Sequence, residues 1–141
     1  MTRSLANTEI LVKTWLRASA ALAAMVPLPG GVGPAIFLAM PKGAPNPCIL
    51  ISQVSGGPSL RKDIPEQVAR ISFDVYGPNR TDASAIAVAL MELLHNLGSD
   101  GSYSDGLATI FAADVVGFRW QPDPDSDTPR YIVDALITTV T

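Results

Sequence analysis

The chain has 141 residues, 48% hydrophobic and 16% charged, so it can bury a core and is too apolar for wholesale disorder. Its net charge is −3 and its basic residues are scattered, which excludes the basic stripe typical of nucleic-acid binding. The single cysteine, Cys48, excludes an intramolecular disulfide and a thiolate zinc site, and we interpret it as a small buried hydrophobe. No apolar run reaches the ~20 residues of a membrane span. We expect one domain over residues 1–141.

The first predicted element is a helix over residues 8–25. Apolar residues recur there at helical spacing, with a predicted buried stripe of Leu11, Trp15, Ala18, Leu22 and Met25. Asn7 or Thr8 would cap the helix, and the prolines that follow residue 25 would end it.

Further apolar runs predict five β-strands, at residues 35–40, 48–54, 67–76, 108–120 and 131–140. The first two strands lie on either side of the proline-rich loop 41–47, and we expect them to form a hairpin with a long tip. The last two strands are joined by the polar loop 121–130, and theirs is the most secure predicted pairing.

Residues 70–98 are the clearest unit of the sequence. Residues 71–76 alternate between apolar and polar side chains, which predicts a half-buried strand. The turn 77–79 ends this strand, and Thr81 or Asp82 then offers an N-cap oxygen to a long helix. The predicted apolar stripe of that helix is Ile86, Leu90, Leu93, Leu94 and Leu97.

The order of these elements predicts an α+β fold. We expect a single mixed or antiparallel sheet of about four to five strands, with two main helices packed on one face.

Catalytic motifs are missing from the sequence. His95 is the only histidine and is predicted to lie on the solvated face of the second helix, without neighbouring groups that would orient a catalytic base. The chain has no Gly-x-Ser-x-Gly elbow, and Gly30–Gly33 lacks the Gly-Lys-Ser/Thr of a phosphate loop. We therefore predict that the chain is not an enzyme and needs no cofactor or metal.

One acidic loop has a weak likeness to a calcium site. Asp123, Asp125 and Asp127 alternate as calcium ligands do, but the sixth position is Thr128 instead of glycine and the loop leads into a strand. A solvated turn is the favoured interpretation. A small cytoplasmic ligand- or ion-binding domain that uses this loop stays open as an alternative.

The outer face of the second helix carries a candidate subunit contact. Val88 and Met91 are predicted to lie there beside Ser84 and His95 on an Ala-rich surface. Two adjacent exposed apolar residues favour a contact with another chain.

Two stretches together resemble a known family. In the first stretch, the strand Phe73–Gly77 is followed by a short turn and by Thr81-Asp82-Ala83, which opens an Ala/Leu helix. In the second, a strand with an aromatic end is followed by the acidic loop 125–130 and by a closing strand that starts at Tyr131. This arrangement resembles the tail terminator (tail completion, or neck) proteins of long-tailed bacteriophages, over roughly residues 8–140. Residues 41–47 and 55–60 have no counterpart in the resemblance.

The resemblance implies a structural protein of the virion, made in the host cytoplasm. Such subunits form a hexameric ring on the finished tail tube, stop its polymerisation and present a surface to the head connector. The implied partners are therefore other copies of the chain, the tail tube protein and the head connector or head-completion protein, with no membrane and no nucleic-acid sequence recognition. A head-completion, connector or tail-tube-like subunit is the alternative. The candidate axial-face residues, chosen by exposure and composition, are Leu60, Arg61, Lys62, Asp123, Asp125, Asp127 and Arg130.

Overall fold

The computed structural model describes residues 7–58, 66–97 and 102–140. In chain order its elements are α1 (Thr8–Arg17), α2 (Ala20–Met25), β1 (Ile36–Phe37), β2 (Cys48–Pro58), β3 (Glu66–Tyr76), α3 (Arg80–Asn96), β4 (Tyr103–Ser104), β5 (Thr109–Trp120) and β6 (Arg130–Val140).

The strands form one sheet in the order β1-β2-β3-β6-β5-β4. All neighbours are antiparallel except β1 and β2, which pair parallel. The predicted α+β class with one mixed sheet is confirmed, and so is the predicted pairing of the last two long strands. The sheet has six strands because β1 and β4, each only two residues long, add to the four long ones.

The predicted hairpin between the first two strands is wrong. Ile36 pairs with Ile49 and Phe37 with Leu50 in the same direction. A parallel pair requires the chain to return to the end at which it started, which a tight turn cannot do. Residues 38–47 form the longer connection that makes this return.

The first predicted helix is divided into α1 and α2. Ser19 adopts an extended backbone, and its hydroxyl accepts a 3.3 Å hydrogen bond from the Leu22 amide, so a second helix starts where the first has ended at Ala18. Serine competes in this way with the backbone bonds of a continuous helix. Ala18 is exposed at the break, whereas Leu16, outside the predicted stripe, is fully buried.

Helix α3 begins two to three residues earlier than predicted. The N-cap is Asn79, not Thr81 or Asp82, and its side-chain oxygen accepts a 2.8 Å hydrogen bond from the Asp82 amide. Asn79 has an extended backbone, which is the conformation that an N-cap requires. Within the predicted stripe, Ile86, Leu90 and Leu94 are buried and the other two leucines are half-buried against the core.

The three helices cover one face of the sheet. Alternate residues of β3 and β6 point into this core, including Ile71, Phe73, Val133 and Ile137, all with no exposed surface. In the described part of the chain, no helix covers the opposite face, which we call the open face.

Candidate interaction surfaces

A network of ions lies at the centre of the open face. Asp134 on β6 is 4% exposed, and its Oδ2 accepts hydrogen bonds from Arg119 on β5 at 2.8 Å and from Arg70 on β3 at 3.4 Å. Burial alone would raise the pKa of Asp134, but hydrogen bonds from Arg119 and Ser72 and the charge of Arg119 outweigh it and lower the pKa. The carboxylate therefore holds two half-exposed guanidinium groups in fixed positions.

A second ion pair joins the open face to the acidic loop. Arg130 lies 3.5 Å from Asp74, over the ring of Tyr76, and donates a 2.9 Å hydrogen bond to the Gln121 carbonyl. Burial raises the pKa of Asp74, although the positive charge of Arg130 opposes the shift. Arg130, predicted as an axial-face residue, thus lies at the base of the loop with its side chain 11% exposed.

The acidic loop is organised around Asp123. Its carboxylate accepts hydrogen bonds from the amides of Asp125 (2.8 Å) and Ser126 (3.3 Å) and from the Tyr76 hydroxyl (3.2 Å). These bonds, led by the one from the Asp125 amide, lower the pKa of Asp123. Both oxygens of Asp123 are thus engaged within the protein, while Asp125 and Asp127 stay exposed at one end of the sheet.

In the described ranges no three His, Cys, Asp or Glu side chains are placed to hold a metal ion.

A cleft of about 220 Å³ separates the acidic loop from the proline-rich loop. Its wall includes Met40, Pro45, Tyr76 and Thr128, with Cys48 at the bottom. Cys48 is 2% exposed, and burial raises its pKa to about 11, so the thiol stays protonated and unreactive at neutral pH. The prediction of a buried hydrophobe at this position is confirmed.

The four α3 residues predicted as a subunit contact lie on one flank of the helix. At 100° per residue, Ser84, Val88, Met91 and His95 fall within about 60° of one another. Val88 is 42% exposed and His95 is exposed, whereas Met91 is half-buried against the core. Val88, Met91 and His95 border a shallow cleft of about 310 Å³.

An aromatic cluster shows which side of the sheet this flank of α3 faces. Arg80, at the start of α3, lies 4.6 Å over the ring of Trp120 on β5 and donates a 3.1 Å hydrogen bond to the Tyr131 hydroxyl. Tyr131 also stacks on Phe118 at 4.9 Å. Because Arg80 belongs to the same flank, the predicted contact residues face β5. The opposite flank of α3, around Ile86, faces α2, where it borders a cleft also lined by Met25.

Neither this cluster nor the ion network was predicted from the sequence. Phe118 and Trp120 are two residues apart and so share one face of a strand, which was a usable signal. The partners Arg80 and Tyr131 are far away in the sequence and no local pattern connects them. Of the other predicted residues, Leu60, Arg61 and Lys62 lie outside the described residues, so their prediction stays untested.

Comparison with known proteins gives the family. Residues 11–139 match the model of the family described as tail completion protein gp17. The chain belongs to this family. It is therefore a structural protein of the phage tail, located in the virion, and the resemblance found in the sequence is confirmed. No curated protein matches the chain.

A solved structure shows the same fold. A chain of the "Virion of native gene transfer agent (GTA) particle" superposes with a TM-score of 0.70 at 20% identity, covering 94% of each chain. No helix among the described residues of this tail completion protein is long and apolar enough to cross a membrane.

Proposed function

We propose that this tail completion protein caps the finished tail tube, stops its polymerisation and provides the surface to which the head connector binds. It does so as a ring of copies, six in number by analogy with the family, and it carries out no reaction. The family match over residues 11–139 is the observation that carries this proposal.

The surfaces of the chain are compatible with that role. A terminator needs contacts with two different neighbours along the tail axis and with its own copies around it. The exposed acids Asp125 and Asp127 lie at one end of the sheet, and the α3 flank with Val88 lies at its side. We assign the loop end to an axial partner and the flank to a second copy of the chain.

The surroundings of Cys48 and His95 support a structural role over a catalytic one. Cys48 is a protonated, buried thiol and His95 is an exposed side chain, so neither is arranged as a nucleophile or base. Asp134 and Asp74 are engaged by arginines on the open face.

Deletion of the gene tests the proposal. Electron microscopy of a lysate without the protein is expected to show filled heads without tails and free tails of abnormal length. Free tails of uniform, normal length would instead favour a head-completion or connector subunit, which joins finished tails without limiting their growth. Normal virions would contradict both roles.

A further inference from the structure

The edge of β5 has main-chain groups available for pairing with another strand. β4 pairs only with Thr109 and Ile110, so in the part of the chain that the structure describes no strand lies beside Phe111–Trp120. The Gln121 amide donates to the Arg130 carbonyl, and the register alternates from there, so Trp120 and Phe118 direct their amides away from β6. The irregularity at Val116 shifts the alternation by one residue. Val115, before it, pairs with Ala135, which lies between the β6 residues that bond to β5, so the Val115 amide also points outward. Such an edge is a template for strand addition.

The side chains along this edge are apolar where the strand bulges. The two irregularities of β5 fall at Phe111 and Val116, and these residues are 39% and 48% exposed. Natural edge strands are commonly protected by lysine, proline or bulges; β5 contains no lysine or proline, and the residues at its two bulges are apolar and exposed. Phe118, 44% exposed, extends this apolar edge towards the aromatic cluster. The α3 flank with Val88 borders the same side, so the edge and the flank form one continuous surface.

The opposite side of the sheet carries a different surface. There β1 pairs with the start of β2, and the Glu9 carboxylate of α1 accepts a 2.9 Å hydrogen bond from the Gln53 amide, so this part of the edge is already occupied. Beyond it, Val54 at the bulge of β2 is 60% exposed, and Ile10 on α1 is 51% exposed. A closed ring of identical subunits requires two such unlike surfaces on opposite sides.

The directions of the strands allow the β5 side of one copy to pair with the β2 side of another. The four long strands β2, β3, β6 and β5 are successively antiparallel, so β2 and β5 run in opposite directions. If copies are related by rotation about an axis along the strands, β5 of one copy meets β2 of the next as an antiparallel pair. β2 has no charged residue, so Asp114 and Arg119 of β5 would meet no like charge on it.

We propose that neighbouring copies in the ring meet sheet edge to sheet edge. The β5 edge and the α3 flank of one copy contact the β2 and α1 side of the next copy. The contact is made by Val116, Phe118 and Val88 on the first copy and by residues around Val54 and Ile10 on the second. This inference rests on the ring of the proposed function and adds its interface.

Replacing a β5 residue whose amide points away from β6 tests the main-chain contact between neighbouring copies. Val115→Pro removes an N–H that the β5–β6 ladder does not use, and proline is tolerated at such edge positions. Val115→Ala shortens the same side chain but keeps the amide, so the difference between the two variants isolates the contact between copies. In particles made with each variant in place of the natural chain, we expect Val115→Ala to support normal tails. Val115→Pro is expected to reduce joined virions at least tenfold. Equal numbers of joined virions from both variants would overturn the edge contact.

Cross-linking tests the same contact without the need for a particle and covers the case in which Val115→Pro does not fold. Chains with Val54→Cys and chains with Val116→Cys are mixed at high concentration and treated with a flexible bifunctional thiol reagent. Both variants also contain the buried Cys48, whose thiol should not react and so serves as an internal control. We expect a mixed dimer that neither variant forms alone. A dimer of Val116→Cys chains with themselves, or no dimer, would overturn the proposal. If gene deletion leaves tails normal, the terminator role fails, while the cross-link still decides whether the edges meet.

Discussion

Arg119 donates a 2.8 Å hydrogen bond to Asp134 Oδ2 across the β5–β6 pair. The residue directly opposite Asp134 is Gly117, where an added Cβ would lie 3.3 Å from the same oxygen. The absence of a side chain at Gly117 therefore leaves the space in which the carboxylate and the guanidinium meet. Arg70 approaches the same oxygen from the other side, so one buried carboxylate connects three strands of the open face.

We expect Asp134→Asn to destabilise the protein mainly at neutral pH. The folded state lowers the pKa of Asp134, so its stabilisation is fully present above the unfolded value of about 3.9 and is lost as the pH falls through the folded pKa. Loss of the hydrogen bonds to a charged group costs roughly 1–3 kcal/mol near neutral pH. Urea unfolding measured from neutral pH to about pH 2 should show a flatter acid limb for the variant.

The exposed carboxylate of Asp114 on β5 provides the control for this change. Asp114→Asn should leave the free energy of unfolding within about 0.5 kcal/mol of the natural chain. An equal loss in both variants, or a loss from Asp134→Asn that does not depend on pH, would show that the ion network does not stabilise the open face.

Gly77→Ala is expected to destabilise the unit formed by β3 and α3. A Cβ at Gly77 would lie 2.7 Å from the Ala83 amide nitrogen and 2.9 Å from the Ala83 Cβ, closer than real contacts allow. Because the backbone of α3 would have to move, we expect a cost of about 1–3 kcal/mol. Thermal denaturation measures this cost. Adding Ala83→Gly should not restore the stability, since the contacts with the backbone nitrogen and Cα persist and glycine in a helix itself costs about 1 kcal/mol. Full recovery would contradict the proposed clash.

Arg80→Gln is expected to loosen the aromatic cluster. The guanidinium lies over Trp120 at 4.6 Å and donates to Tyr131, and a cation over an indole ring contributes about 0.5–2 kcal/mol. The fluorescence of Trp120, measured in a Trp15→Phe background, should shift to longer wavelength as water reaches the ring. Arg80→Lys keeps the charge but not the planar fork, so it should have an intermediate effect. An unchanged spectrum in both variants would refute the contact in solution.

Val88→Asp is expected to block assembly without unfolding the chain. Val88 is 42% exposed on the α3 flank, and valine and aspartate have similar helix propensities, so the change should alter the free energy of unfolding by less than about 0.5 kcal/mol. Ala89→Asp adds the same charge to the same helix 100° from Val88, on the side that carries Ile86 and faces α2, and should assemble normally. Circular dichroism and counts of joined virions distinguish the two. Equal loss of virions from both variants would argue against a flank-specific contact.

Much of this fold was predictable because its signals are local. The period of two in residues 71–76 and the apolar stripe of α3 are each set by neighbouring residues, and both were predicted correctly. The break at Ser19 and the cap at Asn79 were missed because several polar residues nearby could serve as caps. Which of them does so depends on where packing ends the preceding segment.

The contacts between distant residues were not predictable from the sequence. The parallel pairing of β1 with β2 depends on the path of residues 38–47, for which the sequence contains no periodic pattern. Asp134 and Arg70 are 64 positions apart, and only the antiparallel β3–β6 pair brings them together. The α3 contact residues could be placed on one flank from their spacing, but the direction of that flank towards β5 required the Arg80–Trp120 contact.

A reconstruction of the virion neck by cryo-electron microscopy tests the central claim most directly. We predict one ring of this chain, with six copies around the axis, between the last ring of the tail tube and the head connector. Copies repeated along the length of the tail would make the chain a tube subunit. A neck with no density for the chain at this junction would contradict its role as the terminator.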